Sequence, residues 1–265
     1  MPPLSHLTAS DGARIAYRLD GAADLPLLVL SNSIGTTLHM WDGDIAALSR
    51  HFRVLRFDTR GHGESSVPAG DYALERMGRD VLELLDALDV PRAHFLGLSL
   101  GGVIGQWLGI HAPQRIDRLV LANTSPWLGP KAQWDERIAA VLQADDLVDT
   151  AAGFLRNWFP AHLLDAQAPV VERFRAMLLA TDRQGLAGSF AAVRDADLRP
   201  GLARIQAPTL VIAGRHDTVT AASHGEQIAA AIPGAHLLVL PAVHLSNIEY
   251  PGAFAQAVIG FLEDR

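Results

Sequence analysis

Short apolar runs alternate along the chain with stretches of helical period. Leu27-Leu28-Val29-Leu30 is continuously apolar, as in a strand buried on both faces of a parallel sheet. Phe52 to Phe57, His94 to Leu98, Leu119 to Asn123, Thr209 to Ala213 and Ala235 to Leu240 repeat that pattern. Ala13 to Arg18 reads as an early edge strand after the Asp11-Gly12 turn. Between these runs lie helical spacings. They cover Leu38 to Leu48, the stripe Leu74, Met77, Val81, Leu84, Leu85 and Leu88, and a segment ending near His111-Ala112-Pro113. Two more lie at Ala221 to Ala231 and Ala253 to Leu262. The alternation predicts a mostly parallel, doubly wound α/β sheet. It breaks after Pro126. Residues 127–195 hold Trp127, Trp134, Trp158 and amphipathic stretches such as Val170 to Leu179, but no convincing strand. We expect a helical cap there, inserted into a core made of residues 1–126 and 196–265.

Composition narrows the classes without changing this picture. The chain has 265 residues, 49% of them apolar, enough for a large buried core. Its net charge is −7 and it has no basic run, which argues against nucleic acid or an anionic membrane as partner. It has no cysteine, which excludes a thiol nucleophile and thiolate metal sites and suits a reducing, cytoplasmic setting. No basic-then-apolar leader opens the sequence. Asn123-Thr124-Ser125 matches a glycosylation sequon, but Pro126 follows it and we read it as chance.

The candidate chemistry starts at Gly97-Leu98-Ser99-Leu100-Gly101. An apolar run leads into Gly-x-Ser-x-Gly and a helical pattern leaves it, which is the context of a sharp strand-to-helix turn presenting a serine. Such a serine needs a base, and the base needs an orienting acid. Asp217 follows the Thr209–Ala213 run and His244 follows the last apolar run, so both belong at the strand ends, in the order Ser, Asp, His. His216 shares a loop with Asp217 and cannot easily lie between that acid and Ser99. The N–H of Leu100 and that of Ile34, in the loop after Leu27–Leu30, are the candidate oxyanion donors. No metal or organic cofactor is required.

The chain resembles the α/β-hydrolase superfamily over nearly its whole length. More narrowly, it resembles the 3-oxoadipate enol-lactonases of bacterial aromatic catabolism, the β-ketoadipate pathway. The resemblance is carried by Ser31-Asn32-Ser33-Ile34-Gly35-Thr36 with Met40-Trp41, by Phe57 to Gly63, Gly97 to Gly102 and Leu121 to Thr124. Thr181-Asp182, Asp195 to Arg199 and His244 to Glu249 add to it. It implies an α/β-hydrolase fold and hydrolysis of an unsaturated lactone bearing a carboxymethyl group. That carboxylate needs a cation, because an unpaired buried charge is costly. Arg137 is the first candidate, three residues beyond Trp134 on the same helical face. Ser33, Trp134 and Trp158 are further candidates for substrate contact, although the tryptophans could equally pack the cap. Two other readings compete: a general carboxylesterase or perhydrolase with the same residues, and a ligand receptor built on a hydrolase scaffold.

Overall fold

The computed structural model describes residues 4–264. Its strands are β1 (Ser5–Thr8), β2 (Arg14–Asp20), β3 (Leu27–Ser31), β4 (Arg53–Phe57), β5 (Ala93–Leu98), β6 (Ile116–Ala122), β7 (Thr209–Gly214) and β8 (His236–Leu240). The helices are α1 (Ile45–Leu48), α2 (Leu74–Ala87), α3 (Leu100–His111), α4 (Lys131–Gln143), α5 (Val148–Trp158) and α6 (Ala161–Asp165). They continue with α7 (Pro169–Ala180), α8 (Arg183–Asp195), α9 (Ala222–Ala231), α10 (Ser246–Glu249) and α11 (Pro251–Glu263).

All eight strands form one sheet in the order β1-β2-β4-β3-β5-β6-β7-β8. The pairings of β1 with β2 and β2 with β4 are antiparallel, and the rest are parallel. Because β3 lies between β4 and β5, the strand order reverses there. In open α/β sheets the crevice at such a switch point, beyond the carboxyl ends of the strands, is where ligands bind.

Alternate residues of each inner strand point to opposite faces. Leu27 and Val29 join a cluster with Leu55, Phe95 and Leu121 under α2, α3 and α9, whereas Leu28 and Leu30 join Val54, Leu96 and Val120 under α11. This double burial is why these strands are continuously apolar in sequence.

Two elements depart from the sequence expectation. The edge strand β1 was not expected; it is only four residues long, mostly exposed, and exists through pairing with β2. The expected helix over Leu38 to Leu48 is instead a 3-10 turn at Leu38–Trp41 followed by the single turn α1. Contacts with other parts of the fold hold its backbone. The Leu38 N–H donates to Asp58 Oδ1 (2.7 Å), and the Arg56 guanidinium donates to the Leu38 carbonyl (3.2 Å) and to Asp42 (2.6 Å). Side chains thus compete successfully with a continuous helical ladder.

Helices α4 to α8 fill the stretch between β6 and β7, and the bridge between Trp127 and Asp197 closes its base. α4 packs on α8, where Arg194 binds Asp135 (3.0 Å), Asp71 (2.9 Å) and Asp195 (2.7 Å). At the start of α8, Gly185 meets Gly61 of the loop after β4. A Cβ on Gly185 would lie 2.0 Å from the Gly61 carbonyl oxygen, so only glycine permits this approach. No helix among the described residues is long and apolar enough to cross a membrane.

Candidate active site

Ser99 sits between β5 and α3 with φ 56° and ψ −115°, a strained backbone for a residue with a side chain. Its surroundings fix that conformation. The Ser99 N–H donates to the Ala122 carbonyl (3.0 Å), and its own carbonyl accepts from Thr124 Oγ1 (2.8 Å) and the Val103 N–H (3.0 Å). The flanking glycines are needed for close approach. A Cβ on Gly97 would lie 2.1 Å from the Gly101 carbonyl oxygen, and one on Gly101 would lie 2.1 Å from that of Ser31. The second collision is therefore with the end of β3, not across the turn itself.

Asp217 follows β7 and is buried. Its Oδ1 accepts from the N–H groups of Val219 (2.8 Å) and Thr220 (3.0 Å). Its Oδ2 accepts from Thr220 Oγ1 (2.8 Å), Asn123 Nδ2 (3.0 Å) and His244 Nδ1 (2.9 Å). Burial alone would raise the Asp217 pKa. The adjacent His244 and the hydrogen bonds from His244, Asn123 and Thr220 outweigh it and hold the pKa at about 2. An ionised carboxylate only accepts, so the proton of neutral His244 resides on Nδ1 and Nε2 is left as the basic nitrogen. His244 lines the same chamber as Ser99. The competing His216 is exposed.

Sequence reasoning missed the polar frame around this pair. Asn123 follows β6 with φ 41°, a conformation asparagine tolerates better than most residues. It bridges Asp217 to Ser246, whose Oγ donates to Asn123 Oδ1 (2.5 Å). Asn247 then donates to the buried Asp44 (3.0 Å), tying the His244 segment to the loop beside Trp41. In the sequence Asn123 is part of a sequon and of the Leu121–Thr124 segment that carries the family resemblance, with no role assigned to it.

The N–H groups of Ile34 and Leu100 have no hydrogen-bond acceptor among the described residues, and both residues line the Ser99 chamber. His62 holds the next residue in place. Its Nε2 accepts from the Gly35 N–H (2.9 Å) and its Nδ1 donates to the Arg60 carbonyl (3.2 Å), which fixes the neutral tautomer. Burial drives the His62 pKa down to about 4, with backbone hydrogen bonds opposing it.

The chamber is roofed by Trp134 and Arg137 of α4, Phe154 and Trp158 of α5, and Phe190 of α8. Trp158 is also fully buried, so it both lines the chamber and packs the core. The Arg137 guanidinium lies 4.9 Å from the Trp134 ring centroid and has no carboxylate partner among the described residues. Trp134 Nε1 donates to the Leu128 carbonyl. Ser33 is not on the chamber wall. It is buried behind Ile34, with its N–H on Met40 Sδ (3.2 Å) and its carbonyl accepting from Thr36.

The fold is that of a hydrolase built on a doubly wound sheet. The chain belongs to the alpha/beta hydrolase fold family, whose model matches residues 26–251. It is 41% identical to 3-oxoadipate enol-lactonase 2 of Acinetobacter baylyi, covering 95% of this chain and 94% of that protein. It is 35% identical to a putative carbamate hydrolase, RutD, of Pseudomonas savastanoi pv. phaseolicola, covering 91% of this chain and 95% of that protein. Among solved structures it is similar to a hydrolase from Pseudomonas aeruginosa PA01, with 74% identity, a TM-score of 0.97 and coverage of 98% of each chain.

Proposed function

We propose that the protein hydrolyses 3-oxoadipate enol-lactone to 3-oxoadipate by a Ser99–His244–Asp217 triad, beneath a cap formed by residues 127–195. One observation carries this reading. The ionised Asp217 holds His244 by Nδ1 (2.9 Å), in a chamber shared with the strained Ser99, two N–H groups without acceptors and the unpaired cation Arg137. The enol-lactonase relative supports the choice of substrate.

In this mechanism Ser99 Oγ attacks the lactone carbonyl as His244 Nε2 takes its proton. The Ile34 and Leu100 N–H groups stabilise the oxyanion. The ring C–O bond breaks, and the departing enolate is protonated and becomes a ketone. His244 then activates water, which releases the acid from Ser99. Asp217 keeps the imidazole oriented throughout. Arg137 binds the carboxymethyl group, in keeping with its lack of a protein carboxylate.

Loss of the lactone's ultraviolet absorbance tests the proposal. Ser99→Ala is expected to lower kcat by at least about a thousandfold. Arg137→Ala is expected to raise KM for the anionic lactone by about tenfold, with little change for a neutral ester. Good turnover of simple aryl esters with none of the lactone would overturn the substrate and leave the hydrolase.

A further inference from the structure

Beyond the Ser99 chamber lies a second, wider cavity of about 580 Å³. The two share Leu128, Trp134, Arg137, Phe154, Phe190 and Val219 as lining residues, so the outer space lies alongside the chamber that holds Ser99. A volume of this size suits a drug-sized molecule, well beyond a five-membered lactone with one short acid arm.

The chemistry of the outer cavity is distinct from that of the chamber. Its aromatic surface comes from Trp127, Trp134, Phe154 and Phe190. Phe154 and Phe190 stack with centroids 6.2 Å apart, and Trp134 lies 5.4 Å from Phe190. Among the described residues no carboxylate lines it, and its one formal charge, Arg137, is shared with the chamber. Burial lowers the pKa of His224, which keeps that imidazole neutral. On the α5 side Thr150 lines the cavity, and Asn157 is already engaged. Asn157 donates to the Gly153 carbonyl (3.0 Å) and accepts from Thr218 Oγ1 (3.0 Å). Besides four aromatic rings, a ligand there meets Gln133, Thr150 and His224 Nδ1, which has no hydrogen-bond partner among the described residues.

We propose that this outer cavity is a second substrate subsite, which takes a neutral aryl or extended alkyl arm of an ester or lactone whose carbonyl is at Ser99. The inference rests on the hydrolase reading above and widens it from a small anionic lactone to armed neutral esters. The chemistry is unchanged. Ser99 forms an acyl ester, the alcohol leaves with the proton from His244, and water releases the acid. An aryl arm sheathed by these rings gains both from burial and from ring–ring contact.

Gly153 gives the test its handle. It lies on the cavity wall in the middle of α5, and a Cβ there would find its nearest neighbour, Arg156 Nη2, at 3.8 Å. The Cβ of a larger side chain there therefore meets no close contact, and Gly153 lines the cavity. The experiment measures kcat/KM for para-nitrophenyl acetate and para-nitrophenyl phenylbutanoate, and for ethyl acetate and phenylethyl acetate, with the wild type, Gly153→Ala and Gly153→Trp. We expect the wild type to prefer the aryl-armed member of at least one pair by about tenfold or more. Gly153→Ala should keep that preference and Gly153→Trp should bring it to near parity. Equal rates within both pairs, or a preference that survives Gly153→Trp, would overturn the subsite. No turnover of any of these esters by a protein that hydrolyses the enol-lactone would also overturn the subsite, whereas failure on the lactone as well would overturn the hydrolase reading on which it rests.

Discussion

At the scale of single residues, the site depends on side chains that never meet substrate. His62 is the clearest case. It accepts the Gly35 N–H only while neutral, and Gly35 follows the proposed oxyanion donor Ile34. Its pKa falls from 6.5 to about 4 in the fold, so the unfolded chain binds more protons between those values. Its contribution to stability is therefore complete above about pH 6.5 and is lost as pH falls through about 4, at most about 3 kcal/mol. Replacing His62 with Gln keeps an acceptor that does not titrate. Thermal melts across this range should show a shallower acid limb for His62→Gln than for the wild type. An unchanged slope would refute the assignment. The same scale shows what the sequence could reveal. Ser99, Asp217 and His244 stood out as candidates because each follows a strand and the turn at Ser99 demands glycines. Asn123, Thr220 and Ser246 were not, because their importance lies in which atoms the fold brings within 3 Å of one carboxylate and its frame.

At the scale of elements, the buried strands were readable because a strand covered on both faces must be apolar throughout. The loop over Leu38 to Leu48 misled because Asp58 and Arg56, distant in sequence, take its backbone groups. The cap helices were readable as helices, but their placement was not. α4 carries both Trp134 and Arg137, and its position depends on α8 through Arg194 and Asp135. Arg194 keeps only 19% of its side chain exposed and binds three carboxylates at once, which raises its pKa. A network of this kind contributes more than one surface pair, though still only on the order of 1 kcal/mol. Arg194→Leu should loosen α4 without touching Ser99. The expected outcome is a severalfold rise in KM for the lactone at nearly constant kcat. A fall in kcat alone would show that α4 is positioned by other contacts.

At the scale of the whole molecule, the proposed cap has no core of its own among the described residues. Leu186, Phe190 and Val193 of α8 belong to the cluster under one face of the sheet, and Leu155, Trp158 and Phe174 of α5 and α7 belong to the cluster under the other. The molecule is also acidic overall, so the unpaired Arg137 matters more: an anionic substrate meets a favourable charge only locally.

The meeting of Gly61 with Gly185 bears on how such an enzyme could be re-engineered. With backbone set against backbone, the beginning of α8 is welded to the loop after β4, and in mechanical terms that helix belongs to the chassis and not to the interchangeable part. The transplantable module is then α4 to α7, residues 131–180, and not the full insertion. A chimera that receives a relative's residues 131–180 should fold and acquire the donor's substrate preference. One that also replaces 181–195 with a helix lacking glycine at position 185 should be insoluble or markedly less stable in thermal melts. Equal behaviour of the two would mean that the weld can be broken without loss.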